Sequence, residues 1–133
     1  MPIVNDIIFC LNASNFPGQG VCANTILTTM TPEYIPGLFT FSVVVTILDV
    51  DTTKEHELNI SFSSPSEVLG ELKGALPSIE DHSNLPKEYK GINLTIDWNN
   101  MNFKESGAYT ISVLLDNVKI GEKSIYVKGK NQP

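Results

Sequence analysis

The feature that most constrains this chain is a two-residue hydrophobic period that recurs along much of its length. Phe39, Phe41, Val43, Val45 and Ile47 alternate with Thr40, Ser42, Val44 and Thr46. Leu58, Ile60 and Phe62 alternate with Glu57, Asn59, Ser61 and Ser63. Ile92, Leu94, Ile96 and Trp98 alternate with Asn93, Thr95 and Asp97, and Tyr109, Ile111, Val113 and Leu115 with Thr110, Ser112 and Leu114. Successive side chains of a strand point to opposite faces, so each run can bury one face and wet the other. The runs are rich in β-branched and aromatic residues and end in Gly, Pro, Asn or Asp, as strands do. Residues 4–12 and 20–30 add two more strands around the turn Asn15-Phe16-Pro17-Gly18-Gln19-Gly20.

The last two strands read as a hairpin with Asp116-Asn117 at its tip, since both residues tolerate the positive φ of a primed turn. Pairing Leu115 with Val118 puts Val113 opposite Ile120, but continuing that register strands Ile125 and Val127 on the wrong face. A β-bulge near Gly121-Glu122 would restore parity and set Ile125 opposite Tyr109. Helix signal is confined to Ser66–Lys73, with Ser66 as N-cap and Gly70, Gly74 and Pro77 limiting it. Residues 65–91 are the longest poorly patterned segment and read as a crossover or a functional loop.

With 133 residues the chain is expected to form one domain, 1–133, burying roughly two thirds of its unfolded surface. Hydrophobic residues at 41% are too many for a disordered chain. The most apolar run, 39–48, is shorter than the ~18 residues a spanning helix needs, so no membrane role is expected. The net charge is −6 and all nine basic residues are lysine. Without arginine, the side chain that grips phosphate and guanine with two parallel bonds, nucleic-acid binding is not expected. A chain poor in Arg and rich in Asn, Lys and Ile suits an A/T-rich genome, that of a low-GC bacterium or its phage. Asn5-Asp6 interrupts the apolar N-terminus and no lysine precedes it, so it reads as a first strand rather than a secretory signal. The expected address is therefore the cytoplasm. Cys10 and Cys22 then read as two buried free thiols, with a cross-strand disulfide as the alternative.

The most specific motif is Leu94-Thr95-Ile96 followed by the corner Glu105-Ser106-Gly107-Ala108-Tyr109-Thr110-Ile111. It resembles the E-to-F region of immunoglobulin-like domains, where a Leu-x-Ile strand precedes a corner of the form Asp-x-Gly-x-Tyr-x-Cys. The resemblance implies that Tyr109 buries its ring and bonds upstream backbone through its hydroxyl. Ile111 stands where that family often has its second disulfide cysteine, so an aliphatic contact would replace the bridge. The match spans about twenty residues, and no Cys–Trp–Cys set accompanies it. The earlier half, with Phe9-Cys10, Asn24-Thr25-Ile26 and Pro36-Gly37-Leu38-Phe39-Thr40-Phe41, is similar to a family of small uncharacterised bacterial proteins. That similarity implies no activity. The expected fold is all-β: an immunoglobulin-like antiparallel β-sandwich of seven to eight strands with at most one short helix.

Candidate chemistry is sparse. Asp49, Asp51, Glu55 and His56 cluster after a long strand and offer oxygen and nitrogen ligands for Ca²⁺ or a hydrolytic metal, but no EF-hand glycine or terminal Glu follows. The ordinary reading is a solvated turn. Glu80-Asp81-His82-Ser83 holds base, acid and hydroxyl types, yet sequence neighbours do not form a triad. Trp98 reads as core packing, with a sugar-stacking platform as its functional alternative. Lys119, Lys123, Lys128 and Lys130 read as solubility and edge protection. No catalytic, cofactor or metal residues are therefore assigned, and no enzyme activity is expected. The expected function is a protein-binding or assembly module, self-association included, acting through a sheet edge or through loops 14–20, 31–37 and 65–91. The alternative is an exported or virion-displayed adhesion domain for sugar or a receptor.

Overall fold

The computed structural model describes residues 1–16, 20–78 and 84–130. Nine strands occur among them: β1 (Ile3–Phe16), β2 (Gly20–Ile26), β3 (Thr29–Met30), β4 (Gly37–Leu48), β5 (His56–Ser63), β6 (Val68–Leu76), β7 (Gly91–Phe103), β8 (Gly107–Leu115) and β9 (Val118–Val127). The helical content among the described residues is a single 3₁₀ turn, Lys87–Tyr89. The strands form two sheets, ordered β2-β1-β4-β7 and β3-β9-β8-β5-β6. Every strand pair is antiparallel except β3 with β9. This is an immunoglobulin-like sandwich: β7 and β8 belong to opposite sheets, as strands E and F do in that fold.

The inward positions of the alternating runs make the core. Phe41, Val43, Val45 and Ile47 of β4 face Ile60 and Phe62 of β5 and Tyr109, Ile111 and Val113 of β8, all essentially inaccessible. Phe62 sits among Phe41, Trp98, Phe103 and Tyr109, with ring centroids 5.1, 6.1, 6.2 and 5.7 Å away. Tilted pairs at such spacing add to the area term of burial. Ile111 is fully buried, an aliphatic contact where the family's cysteine would stand. The Tyr109 hydroxyl donates to the Glu105 carbonyl at 2.6 Å, which ties the β7–β8 corner to the core as the motif implies.

Two expectations need correction, while the strand count of nine stays close to the expected seven to eight, exceeding it because two-residue β3 and the segment read as a helix both pair. That segment is β6, paired with β5 from His56↔Leu76 to Ser63↔Val68. Gly70 and Gly74 weaken a helix, while Gly70, Leu72, Gly74 and Leu76 share one face of a strand. Ser66 is not an N-cap but lies in the β5–β6 turn, where its hydroxyl donates to Glu105 Oε1 at 2.7 Å.

The hairpin tip has positive φ at Asp116 (52°) and Asn117 (65°), and Leu115 pairs with Val118, as expected. A bulge does bring Ile125 opposite Tyr109. Its extra residue is Ile120, however, between Leu114↔Lys119 and Val113↔Gly121, one position earlier than the sequence suggested. Gly121 serves close approach instead: a Cβ there would lie 2.6 Å from Val4 Cβ across the sandwich. The cysteines also differ from expectation in part. Both are free, but Cys10 is buried and Cys22 exposed. In the β1–β2 register Cys10 faces Ile26 and Cys22 faces Ser14, four positions apart, or about 14 Å along a strand.

Candidate functional site

Two features adjoin on one side of the molecule: a polar clamp at an end of the sandwich, and the lateral margin where β6 and β7 border the two sheets. The clamp is built on the β4–β5 connection, residues 49–55, which carries the chain between sheets. Val50 anchors it, fully buried, with its N–H on the Lys90 carbonyl at 3.2 Å. Asp51 shapes the turn by accepting from the Thr53 N–H at 3.1 Å and the Thr53 hydroxyl at 2.5 Å, and these bonds hold its carboxyl below the usual range. Asp49 accepts from the Met1 amino group at 2.5 Å.

His56, the first residue of β5, joins this loop to the β8–β9 turn. Its Nδ1 lies 2.7 Å from Asp116 Oδ2 and its Nε2 lies 2.7 Å from the Asp51 carbonyl. Asp116 Oδ1 in turn accepts from the Glu57 N–H at 2.9 Å. A carbonyl and a carboxylate only accept, so the arrangement favours the protonated ring, which can donate to both. The bond to Asp116, then that to the Asp51 carbonyl, push the His56 pKa up, and His56 with the Glu57 N–H pulls that of Asp116 down.

The residues that suggested a metal site are therefore near one another in the chain but engaged elsewhere. The ring as placed turns no nitrogen lone pair outward, the Asp49 and Asp51 carboxylates point to Met1 and Thr53, and Glu55 is exposed. Among the described residues no group of three His, Cys, Asp or Glu side chains could hold a metal ion. Glu80-Asp81-His82-Ser83 lies outside the described residues. The sequence did not point to Asp116 as the partner of His56. Sixty positions separate them, and only the pairing of β5 with β8 brings them together.

Beside the clamp, a cleft of about 170 Å³ opens between the sheets, lined by Val50, Leu76, Pro77, Ile92 and Leu94 with His56 and Lys54 at its rim. Further along the same margin Trp98 is 8% exposed, covered by Phe62 and by Gly70 of β6. Buried in this way it is no platform for a sugar, which corrects the functional alternative for that residue.

The four lateral edges differ in their openness. On β2, Thr25 has φ 59° and interrupts the extended run. On β7, Gly91–Trp98 pairs regularly with β4, and a bulge opposite Phe39 and Phe41 turns the strand beyond that run at Asn100, φ 54°. On β9, β3 covers the C-terminal part, and Lys119 and Lys123 stand along the rest. Strand β6 pairs regularly with β5 from Gly70 to Leu76, and its described residues there include no proline and no positive φ. Its far side has no strand partner among the described residues. Leu72 points inward beside Ile60 yet is 42% exposed, because nothing among the described residues closes the sheet beyond it. Glu71 and Lys73 occupy the outer face, 3.2 Å apart. The candidate loops do not gather into one surface among the described residues: 14–16, 20 and 31–37 lie at the end away from His56, and β6 separates 65–67 from 77–78 and 84–90.

The fold defines an immunoglobulin-like β-sandwich. The chain belongs to a family of unknown function, DUF6941, whose model matches residues 5–128. Among solved structures, the fold is similar to an immunoglobulin-like protein from Pseudomonas aeruginosa, with a TM-score of 0.50, 12% identity, and coverage of 96% of this chain and 97% of that one. It is also similar to part of an alkylpurine DNA glycosylase from Pseudomonas fluorescens, solved bound to DNA containing an abasic-site analogue (TM-score 0.50, 6% identity, 96% of this chain). The chain spans 30% of that glycosylase's length. At such identities the likeness concerns the fold alone. No curated protein matches the chain in sequence.

Proposed function

We propose that this chain is a non-enzymatic protein-binding module, bacterial or phage in origin and cytoplasmic in address, whose contact surface is the open edge of β6. The observation that carries the reading is the regular run from Gly70 to Leu76, which has no strand partner on its far side among the described residues and leaves Leu72 half uncovered. An edge of this kind offers a row of backbone donors and acceptors to an added strand, which gives affinity without a pocket. The wholly lysine basic set supports the assigned origin, and the acidic total disfavours nucleic acid as the partner. His56 and Asp116 spend their polar atoms on one another and on backbone, and the Asp51 carboxylate is spent on Thr53, which supports a structural rather than a chemical role for the clamp.

Affinity capture from host cells, with the wild-type chain and Leu72→Lys side by side, tests this. The expected result is a partner, a second copy included, held by wild type and lost by the variant, with unchanged circular dichroism. Equal recovery by both proteins, or recovery of nothing by either together with no self-association in solution, would overturn the reading.

The adhesion alternative loses its stacking residue now that Trp98 is enclosed, and no other observation favours it.

A further inference from the structure

We propose that the occupant of the β6 edge is a second copy of this chain, joined by antiparallel β6–β6 pairing about a two-fold axis at Leu72. The inference rests on the reading of β6 as the contact edge and adds the partner and the register.

Face parity comes first. Opposed residues of an antiparallel pair point to the same side, so a slip of one residue would set the inner face of one copy against the outer face of the other. Only registers centred on a residue survive. Centring on Glu71 places Glu71 against itself, and centring on Lys73 places Lys73 against itself. Like charges directly opposite oppose pairing. Centring on Leu72 sets Glu71 of each copy against Lys73 of the other, twice by symmetry. The two side chains already share the outer face, where Lys73 Nζ turns back to Glu71 Oε1 at 3.2 Å. Pairing exchanges the one such contact within each copy for two between the copies, two for two.

The inner face agrees with the same centre. Leu72 meets Leu72, covering the part of each that is 42% exposed in the single chain. Gly70 meets Gly74, and a Cβ at Gly74 would touch nothing within 4 Å, so no described side chain fills the space over that position. The bulge between Phe62 and Ser63, opposite Val68 and Gly70, ends the regular run beyond Gly70. The paired segment is thus 70–74, and the two five-stranded sheets become one of ten strands. A contact this short falls well below the ~1,600 Å² of a standard interface, so the dimer is of the transient class, with Kd on the order of micromolar to hundreds of micromolar.

The test is mass in solution, by sedimentation equilibrium up to about 500 µM, a concentration chosen to reach that class. The proteins are wild type, E71K, K73E, the double variant E71K/K73E, and an equimolar mixture of the two single variants. Wild type and the double variant should dimerise. Each single variant should weaken dimerisation at least about tenfold, because it places two like-charged pairs in contact. The mixture should recover dimers, since the two cations of the E71K chain then face the two carboxylates of the K73E chain. Both substituted positions are exposed on the outer face, and the double variant controls for any loss of folding. A monomeric wild type at the highest concentration, or single variants as dimeric as wild type, would overturn the inference. If wild type is monomeric while Leu72→Lys still abolishes capture of a different protein, the self-pairing falls and the protein-binding reading stands. If nothing depends on β6, both fall.

Discussion

Gly70 on β6 faces the indole of Trp98 on β7 so closely that a Cβ on the glycine would lie 2.5 Å from Trp98 Cζ3. The contact links the two sheets at their open side, and it explains why β6 carries a glycine at an inward position. Gly70→Ala must therefore displace a ring already held by Phe62. The expected cost is about 1–3 kcal/mol, as for other overpacking changes. Gly74→Ala, where the Cβ would meet open space, should cost under about 1 kcal/mol, the propensity difference aside. Urea unfolding of both variants checks the contrast; equal stabilities would show that the indole moves aside freely.

Tyr109→Phe should keep the ring against Phe103, 5.0 Å between centroids, and lose only the hydroxyl. The Glu105 carbonyl is then left without its 2.6 Å donor. A loss of about 1–3 kcal/mol is expected, the range for orphaning a buried polar group. Tyr109→Ala empties the centre of the aromatic cluster and should cost about 3–5 kcal/mol. Thermal unfolding of both variants measures the two effects, and an unchanged Tyr109→Phe would mean that the corner does not depend on the hydroxyl.

The clamp at His56 makes stability depend on pH. Its folded pKa is raised above the ordinary 6.5 by Asp116 and the Asp51 carbonyl. The folded state thus binds the proton more tightly than the unfolded chain, and the contribution is full below about pH 6.5 and lost as pH rises through the folded pKa. Asp116 is depressed below 3.8, so its share is present above that value and lost on acidification through the lower folded pKa. Melting temperature should fall from neutral toward alkaline pH in wild type, and His56→Gln should flatten that limb. A variant with the wild-type slope would remove His56 as the cause.

Burial, and then the charge of Asp97, push the Cys10 thiol up, while Cys22 stands exposed on β2. The thiolate is the reactive form, so one thiol per chain should react with Ellman's reagent under native conditions and two in denaturant. Cys22→Ser should abolish the native reaction. Two reactive thiols in the folded protein would contradict the placement of Cys10.

The alternating runs, the Asp116-Asn117 tip and the Glu105–Tyr109 corner were legible because each is local: strand parity, turn conformation and a motif confined to seven residues. The bulge shows where that reasoning stops. The need for one extra residue followed from parity in β9, but its place at Ile120 shows only in the pairing with β8, where Gly121 falls opposite Val113 and close to Val4 of the other sheet. Strand β6 was misread for a related reason. Its inward positions alternate glycine with leucine, so they carry little apolar period, and only hydrogen bonding to β5 makes it a strand.

The linear order of apolar and polar residues settled that this chain folds into two packed sheets, because a period of two leaves no other way to bury so many side chains. Which strands end a sheet, which histidine meets which carboxylate, and which glycine lies beneath the indole were decided by tertiary structure. Those relationships join positions tens of residues apart, and no local preference records them.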